Sequence, residues 1–174
     1  VYWSMQGKPN EVFLTFDDGP DPEITPEVLK LLRIWGAKAT FFCIGENAQK
    51  HPEIIEEIRK DGHSIGNHTM SHLSGWKSSS KRYLSEIDQT SVLLRTNLFR
   101  PPYGRVKPWL ISTINKKQKI ILWSVNSEDY NSRNNSSNCA TQVLNELKSG
   151  SVVLFHDAPK AAKNVIPTLA TVLR

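Results

Sequence analysis

Val12-Phe13-Leu14-Thr15-Phe16-Asp17-Asp18-Gly19-Pro20 joins an apolar run to two adjacent carboxylates and a Gly-Pro turn. The run reads as a buried strand, and the turn ends it. Neighbouring strand residues point to opposite faces, so Asp17 and Asp18 need different partners unless the backbone kinks between them. Two acids at the edge of a core are costly without a metal, a cation or a dense shell of hydrogen bonds. The rest of the chain has to supply what neutralises them.

Outward from this first strand, taken as Glu11 to Phe16, similar runs recur at Ala39 to Ile44, Ser64 to His68, Leu98 to Pro101, Lys119 to Asn126 and Ser151 to His156. Helical periodicities separate them. Val28, Leu31, Leu32 and Trp35 share a face, with Thr25 as N-cap, Pro26 in the first turn and Gly36 as the stop. Ile54, Ile55 and Ile58 form a second face, and Leu84, Ile87 and Leu94 a third. Trp109, Leu110 and Ile114 mark a fourth helix, Val143, Leu144 and Leu147 a fifth, and a last one runs from Pro167 toward Arg174. Ile120-Ile121-Leu122-Trp123 is apolar on consecutive residues, as a strand covered by helices on both faces must be. Repeated βα order with such strands gives an α/β fold on a parallel sheet, either barrel or doubly wound. No glycine fingerprint follows the first strand, which disfavours an open dinucleotide-binding sheet.

The 174 residues fit one domain spanning 1–174. With 39% hydrophobic and 22% charged residues, the composition is that of a globular protein. No run reaches the ~20 apolar residues that span a bilayer. The chain starts at Val1 rather than Met and shows no basic-then-apolar leader, as expected of a trimmed piece. The net charge of +5 is a mild excess that reads first as a solvated basic surface, and otherwise suits an anionic partner such as a cell-wall polymer or nucleic acid. Lys and Arg are scattered, without the aromatic-rich basic stripe of a nucleic-acid binder. Two cysteines, Cys43 and Cys139, are too few for a disulfide framework or a four-thiolate zinc site. The polar segment Ser127 to Asn138 reads as a surface loop.

Two of the five histidines, His68 and His72, stand four apart, a spacing that brings them together on a helix face or in a turn. Two imidazoles and one carboxylate make a common catalytic zinc set with open positions for water, and Asp18 is the candidate carboxylate. Arg100, stiffened by Pro101 and Pro102, suits a bidentate hold on an acid. His156 follows the apolar run Val153-Leu154-Phe155 and is a candidate acid or base, with Asp157 as a local cap or turn residue. Asp17, Asp18, His68, Arg100 and His156 all fall at the C-terminal ends of predicted parallel strands, the edge where βα barrels assemble catalytic groups.

In these motifs and their order the sequence resembles the polysaccharide deacetylase family, also called the NodB-homology or carbohydrate esterase family 4 domain. The resemblance runs from Thr15 to Asp157, through Thr15-Phe16-Asp17-Asp18-Gly19-Pro20, His68-Thr69-Met70-Ser71-His72, Arg100-Pro101-Pro102-Tyr103-Gly104 and Leu154-Phe155-His156-Asp157. It implies a distorted, incomplete (β/α) barrel of about seven strands that removes acetyl groups from N-acetylated polysaccharide at the cell envelope or outside the cell. It implies that Asp18, His68 and His72 bind a divalent metal, zinc first, with cobalt, nickel or iron also fitting. Asp17 is then the general base with Arg100 as its partner, Tyr103 supplies an oxyanion-holding N–H, and His156 is the general acid. Leu154 lines the acetyl pocket, and Pro102 and Tyr130 lie against the substrate, with Trp76 a further aromatic face.

The fourth motif departs from the family pattern, with Asn126 where an aspartate supports the acid histidine and Tyr130 where a tryptophan stands. A neutral Asn126 orients a ring without stabilising its cation. The expectation is therefore a less basic His156 than in typical members, with Glu128 or Asp129 as possible substitutes. An ester leaves more easily than an amide, so Asn126 also keeps open an O-acetyl esterase acting on xylan or another glycan. A glycan-binding protein with a weakened site is the remaining alternative.

Overall fold

The computed structural model describes residues 1–5 and 10–174. Among these residues seven parallel strands form one curled sheet: β1 (Phe13–Asp17), β2 (Ala39–Cys43), β3 (Ser64–Asn67), β4 (Leu98–Phe99), β5 (Lys119–Ile120), β6 (Val125–Asn126) and β7 (Val152–His156). Their order is β5-β4-β3-β2-β1-β7-β6, so the half-barrel stays open between β5 and β6. Among the described residues seven α-helices connect and cover them: α1 (Ile24–Ile34), α2 (Gly45–Lys50), α3 (Pro52–Lys60), α4 (Ser80–Leu94), α5 (Pro108–Asn115), α6 (Ser136–Glu146) and α7 (Val165–Val172). Among the described residues no helix is long and apolar enough to cross a membrane.

Alternation along the central strands sorts side chains between the helix layer and the barrel interior. Phe16 of β1 is in register with Phe41 of β2 and Phe155 of β7. Their rings stack with centroids 5.0 and 5.5 Å apart, forming an aromatic row under the helices with Val28, Leu29 and Ile58. The intervening residues face inward. Phe13 and Val152 belong to a small interior cluster with Phe42 and Ile121. Farther along β1 and β7 come Thr15 beside Leu154, then Asp17 beside His156. The interior therefore changes from hydrocarbon to ionisable groups along the strand direction. Gly66 is required by this packing, because a Cβ there would lie 2.3 Å from the Phe42 ring.

The single strand expected over Lys119 to Asn126 is divided. Ile121 N–H still donates to Phe99 O at 2.8 Å, but by Ser124 the chain has joined the other edge, donating to Val152 O at 3.0 Å. The intervening residues bridge the opening. The N-terminal residues lie across it as well, with Tyr2 paired to Ile121 and Ser4 to Ser151. At α1 the expected cap is reassigned. Asp21 Oδ1 accepts from the N–H groups of Glu23 and Ile24 at 3.0 and 2.9 Å, while Thr25 turns inward. Asp21 can do this because its side chain reaches the free amides of the first turn.

His63 marks a titratable point in the core. Its Nδ1 accepts from Ala39 N–H at 3.3 Å, and Nε2 has no partner among the described residues. Burial, reinforced by Lys38, pushes its pKa below the ordinary value. The unfolded chain therefore takes up a proton as pH falls through about 6.5, before the folded chain does, and stability is lost below that pH. Thermal melts should show Tm falling on this acid side more steeply for wild type than for His63→Gln. Parallel profiles for the two proteins would reject the assignment.

Candidate active site

A left-handed kink settles where the paired carboxylates point. Asp17 ends β1 in register with Phe42 and His156. Asp18 then adopts φ 78°, so both side chains line one cavity of about 340 Å³ instead of opposite faces. Asp157 holds this turn from below: its carboxylate accepts from Gly19 N–H at 3.2 Å and from the Thr25 hydroxyl at 2.7 Å. Complete burial pushes the Asp157 pKa well up, although the Thr25 bond opposes this. Asp157 is thus a buried strut between distant segments rather than a local cap or turn residue.

Arg100 is fully buried, and its guanidinium has a partner on each nitrogen. Nη1 donates to Asp17 Oδ1 and Thr15 Oγ1, both at 2.7 Å. Nε donates to Ile121 O at 3.1 Å and Nη2 to Leu122 O at 3.0 Å. Those carbonyls belong to the divided strand, so Arg100 satisfies groups that the sheet ladder leaves unpaired. The cation also lies 4.1 Å from the Phe42 ring centroid. Burial lowers its pKa, and Asp17 opposes that shift.

The three expected metal ligands converge. Asp18 Oδ1 lies 3.3 Å from His68 Nε2 and 3.2 Å from His72 Nε2. His68 Nδ1 donates to Arg100 O at 2.8 Å, which leaves the Nε2 lone pair facing the cluster. The spacing of the histidines is not helical: the segment is a loop with Thr69 at φ 65° and His72 at φ 56°. Asp18 Oδ1 is buried with no hydrogen bond among the described residues, and all three ligand atoms lie within 4.8 Å of one another. An orphaned carboxylate oxygen facing two imidazole nitrogens fits a divalent cation. Burial pushes the Asp18 pKa up, but His68, His72 and Lys160 outweigh it and hold the carboxyl far below its usual range. For His68 burial acts downward, yet Asp17 and Asp18 carry the net shift upward, so a proton competes with a cation for Nε2.

Across the cavity, Asp129 grips His156 twice. One oxygen accepts from His156 N–H and the other from Nδ1, both at 2.8 Å. Asn126 also lines the cavity, but its Oδ1 accepts from Glu128 N–H at 3.1 Å. Leu154, Tyr103 and Tyr130 line the same space. The Tyr103 ring meets His72 edge-on at 4.7 Å, and Tyr130 meets His156 at 5.0 Å. Pro102 is different: it is buried in the turn Pro102–Gly104 and is not on the cavity wall, because that turn presents Tyr103 instead. Trp76 is exposed and likewise outside the cavity lining.

Residues 4–119 match the polysaccharide deacetylase family. The chain belongs to that family. A peptidoglycan-N-acetylglucosamine deacetylase of Bacillus cereus is 34% identical over 180 residues, covering 99% of this chain and 84% of that one. A chitooligosaccharide deacetylase of Azorhizobium caulinodans is 33% identical over 156 residues, 85% of this chain and 74% of its own. The crystal structure of the Bc1960 peptidoglycan N-acetylglucosamine deacetylase superposes with a TM-score of 0.93 at 33% identity, covering 99% of this chain and 84% of that one.

Within this deacetylase family, the expected weakening of His156 loses its premise. A carboxylate does meet the ring, supplied by Asp129 from three positions beyond Asn126. Of the two substitutes the sequence offers, Glu128 and Asp129, it is Asp129 that reaches the ring, completely buried although it sits in a Ser- and Asn-rich segment. The sequence reading also passed over two cavity residues. Trp123 reads as one more strand hydrophobe, and Lys160 follows β7 with no local pattern to single it out.

Proposed function

We propose that this deacetylase-family chain is a metal-dependent hydrolase that removes N-acetyl groups from N-acetylglucosamine units of peptidoglycan or a chitin-like oligomer. The observation that carries this reading is the unsatisfied Asp18 Oδ1 facing two Nε2 atoms, with a second carboxylate, Asp17, beside it and held by Arg100. A divalent cation held by Asp18, His68 and His72, most simply zinc, would act as a Lewis acid on the acetyl carbonyl and bring the water nucleophile to it.

The protein groups divide the remaining work. Asp17 accepts the proton of the attacking water. The Tyr103 N–H holds the developing oxyanion. Leu154 fills the space beside the acetyl methyl, and Tyr130 offers a ring face to the sugar. His156 donates a proton to the departing amine, with Asp129 fixing Nδ1 so that Nε2 is left for the substrate. Asp129 gives the acid the charged partner that an amide leaving group demands, so the geometry favours N-acetyl over O-acetyl substrates. Relatives named for peptidoglycan support action at the cell envelope.

Acetate release from N-acetylated oligomers, with acetyl esters in parallel, tests the reading. After exhaustive chelation the rate should fall by on the order of a hundredfold or more and return with added zinc. Undiminished turnover in metal-free protein would overturn the cation assignment. Turnover of esters alone would overturn the amide assignment.

A further inference from the structure

Lys160 lies in the short turn Pro159–Ala161 after β7, and its ammonium is 2.5 Å from Asp18 Oδ2. The two oxygens of Asp18 are thereby separated in role. Oδ1 faces both imidazoles and has no hydrogen-bond donor among the described residues, whereas Oδ2 is held by the lysine. The Lys160 side chain is 44% exposed, and Nζ also lies 5.4 Å from the Tyr130 ring centroid at the cavity wall.

A carboxylate can meet a cation through one oxygen or two. Two oxygens from Asp18 with two imidazoles would already occupy four positions around the ion and crowd those left for water and substrate. A catalytic site needs a vacant position, and an ammonium on Oδ2 preserves one. A lysine this close to a divalent cation also repels it, so a site built for tightness alone would omit the charge. The benefit of Lys160 is therefore geometric.

We propose that Lys160 is a positioning residue that confines Asp18 to single-oxygen ligation and so keeps a coordination position open for the reacting water and acetyl oxygen. The proposal rests on the cation reading given above. It assigns Lys160 no contact with the reacting atoms.

The test loads wild type, Lys160→Met and Lys160→Arg with Co²⁺ and records the visible spectrum, which reports coordination number. Wild type should show the intense bands of a low-coordinate ion. Lys160→Met should lose about half or more of that absorbance as Oδ2 joins the ion, because geometry governs the spectrum. Its kcat on an N-acetylated oligomer should fall on the order of tenfold with KM nearly unchanged. Lys160→Arg should retain the wild-type spectrum and most of kcat. A Lys160→Met spectrum identical to wild type would overturn the proposal. A wild-type protein that gives no cobalt bands would instead sink the cation reading, so the two failures are distinguishable.

Discussion

Asp17→Asn is expected to lower kcat by on the order of 10²–10⁴ while leaving cation binding and KM nearly intact. Asparagine keeps an oxygen for Arg100 Nη1, so the 2.7 Å contact beneath the site survives. The convergent ligand set is Asp18, His68 and His72, and Asp17 Oδ2 stands apart at 3.8 Å from His68 Nε2. What the substitution removes is the ability to accept a proton from water. Zinc stoichiometry of the variant, measured beside its kinetics, separates this loss from a loss of metal. A variant with full zinc and a kcat within tenfold of wild type would remove Asp17 from the base role.

The second large effect is on stability. Replacing Arg100 by leucine should cost about 3–5 kcal/mol, because it leaves Asp17 buried without its cation. Ile121 O and Leu122 O lose their donors at the same time. A domain with ~5–15 kcal/mol in total would lose roughly a fifth of its stability or more, and nearly all of it at the low end of that range. Denaturant titration gives the value, and the double variant Asp17→Asn with Arg100→Leu provides the control. If the buried charge is the main term, the pair together should cost clearly less than the sum of the two single changes. Strict additivity would assign the loss to packing and carbonyl groups instead.

Much of this arrangement was legible in the sequence because apolar runs ending in polar residues reveal strand ends. That logic located Asp17, Asp18, His68, Arg100 and His156, and the family resemblance ordered their roles. It failed where the deciding partner is distant in the chain. Ile121 and Leu122 look like ordinary strand residues, and only the Arg100 side chain reveals why the ladder divides there. The sequence offers Asp129 only beside Glu128 as a substitute for Asn126, in a segment whose polarity signals solvent, and the fold buries Asp129 against His156. Thr25 satisfies every local rule for a cap, but Asp157 claims its hydroxyl. His72 meets His68 through two left-handed residues, a conformation that a spacing of four does not announce. For Ile121, Leu122, Asp129 and Thr25 a tertiary contact overrides the local preference.

Asp18, Thr69, His72, Tyr103 and Glu128 all adopt positive φ, between 53° and 78°, on loops that follow strand ends. None is glycine, the one residue that tolerates this region without steric penalty. Glycine at Asp18 or His72 would relax the backbone and remove a side chain of the candidate cation cluster. Laboratory evolution toward heat resistance alone should therefore thin these loops of chemistry, whereas screening for acetate release should retain the strained residues.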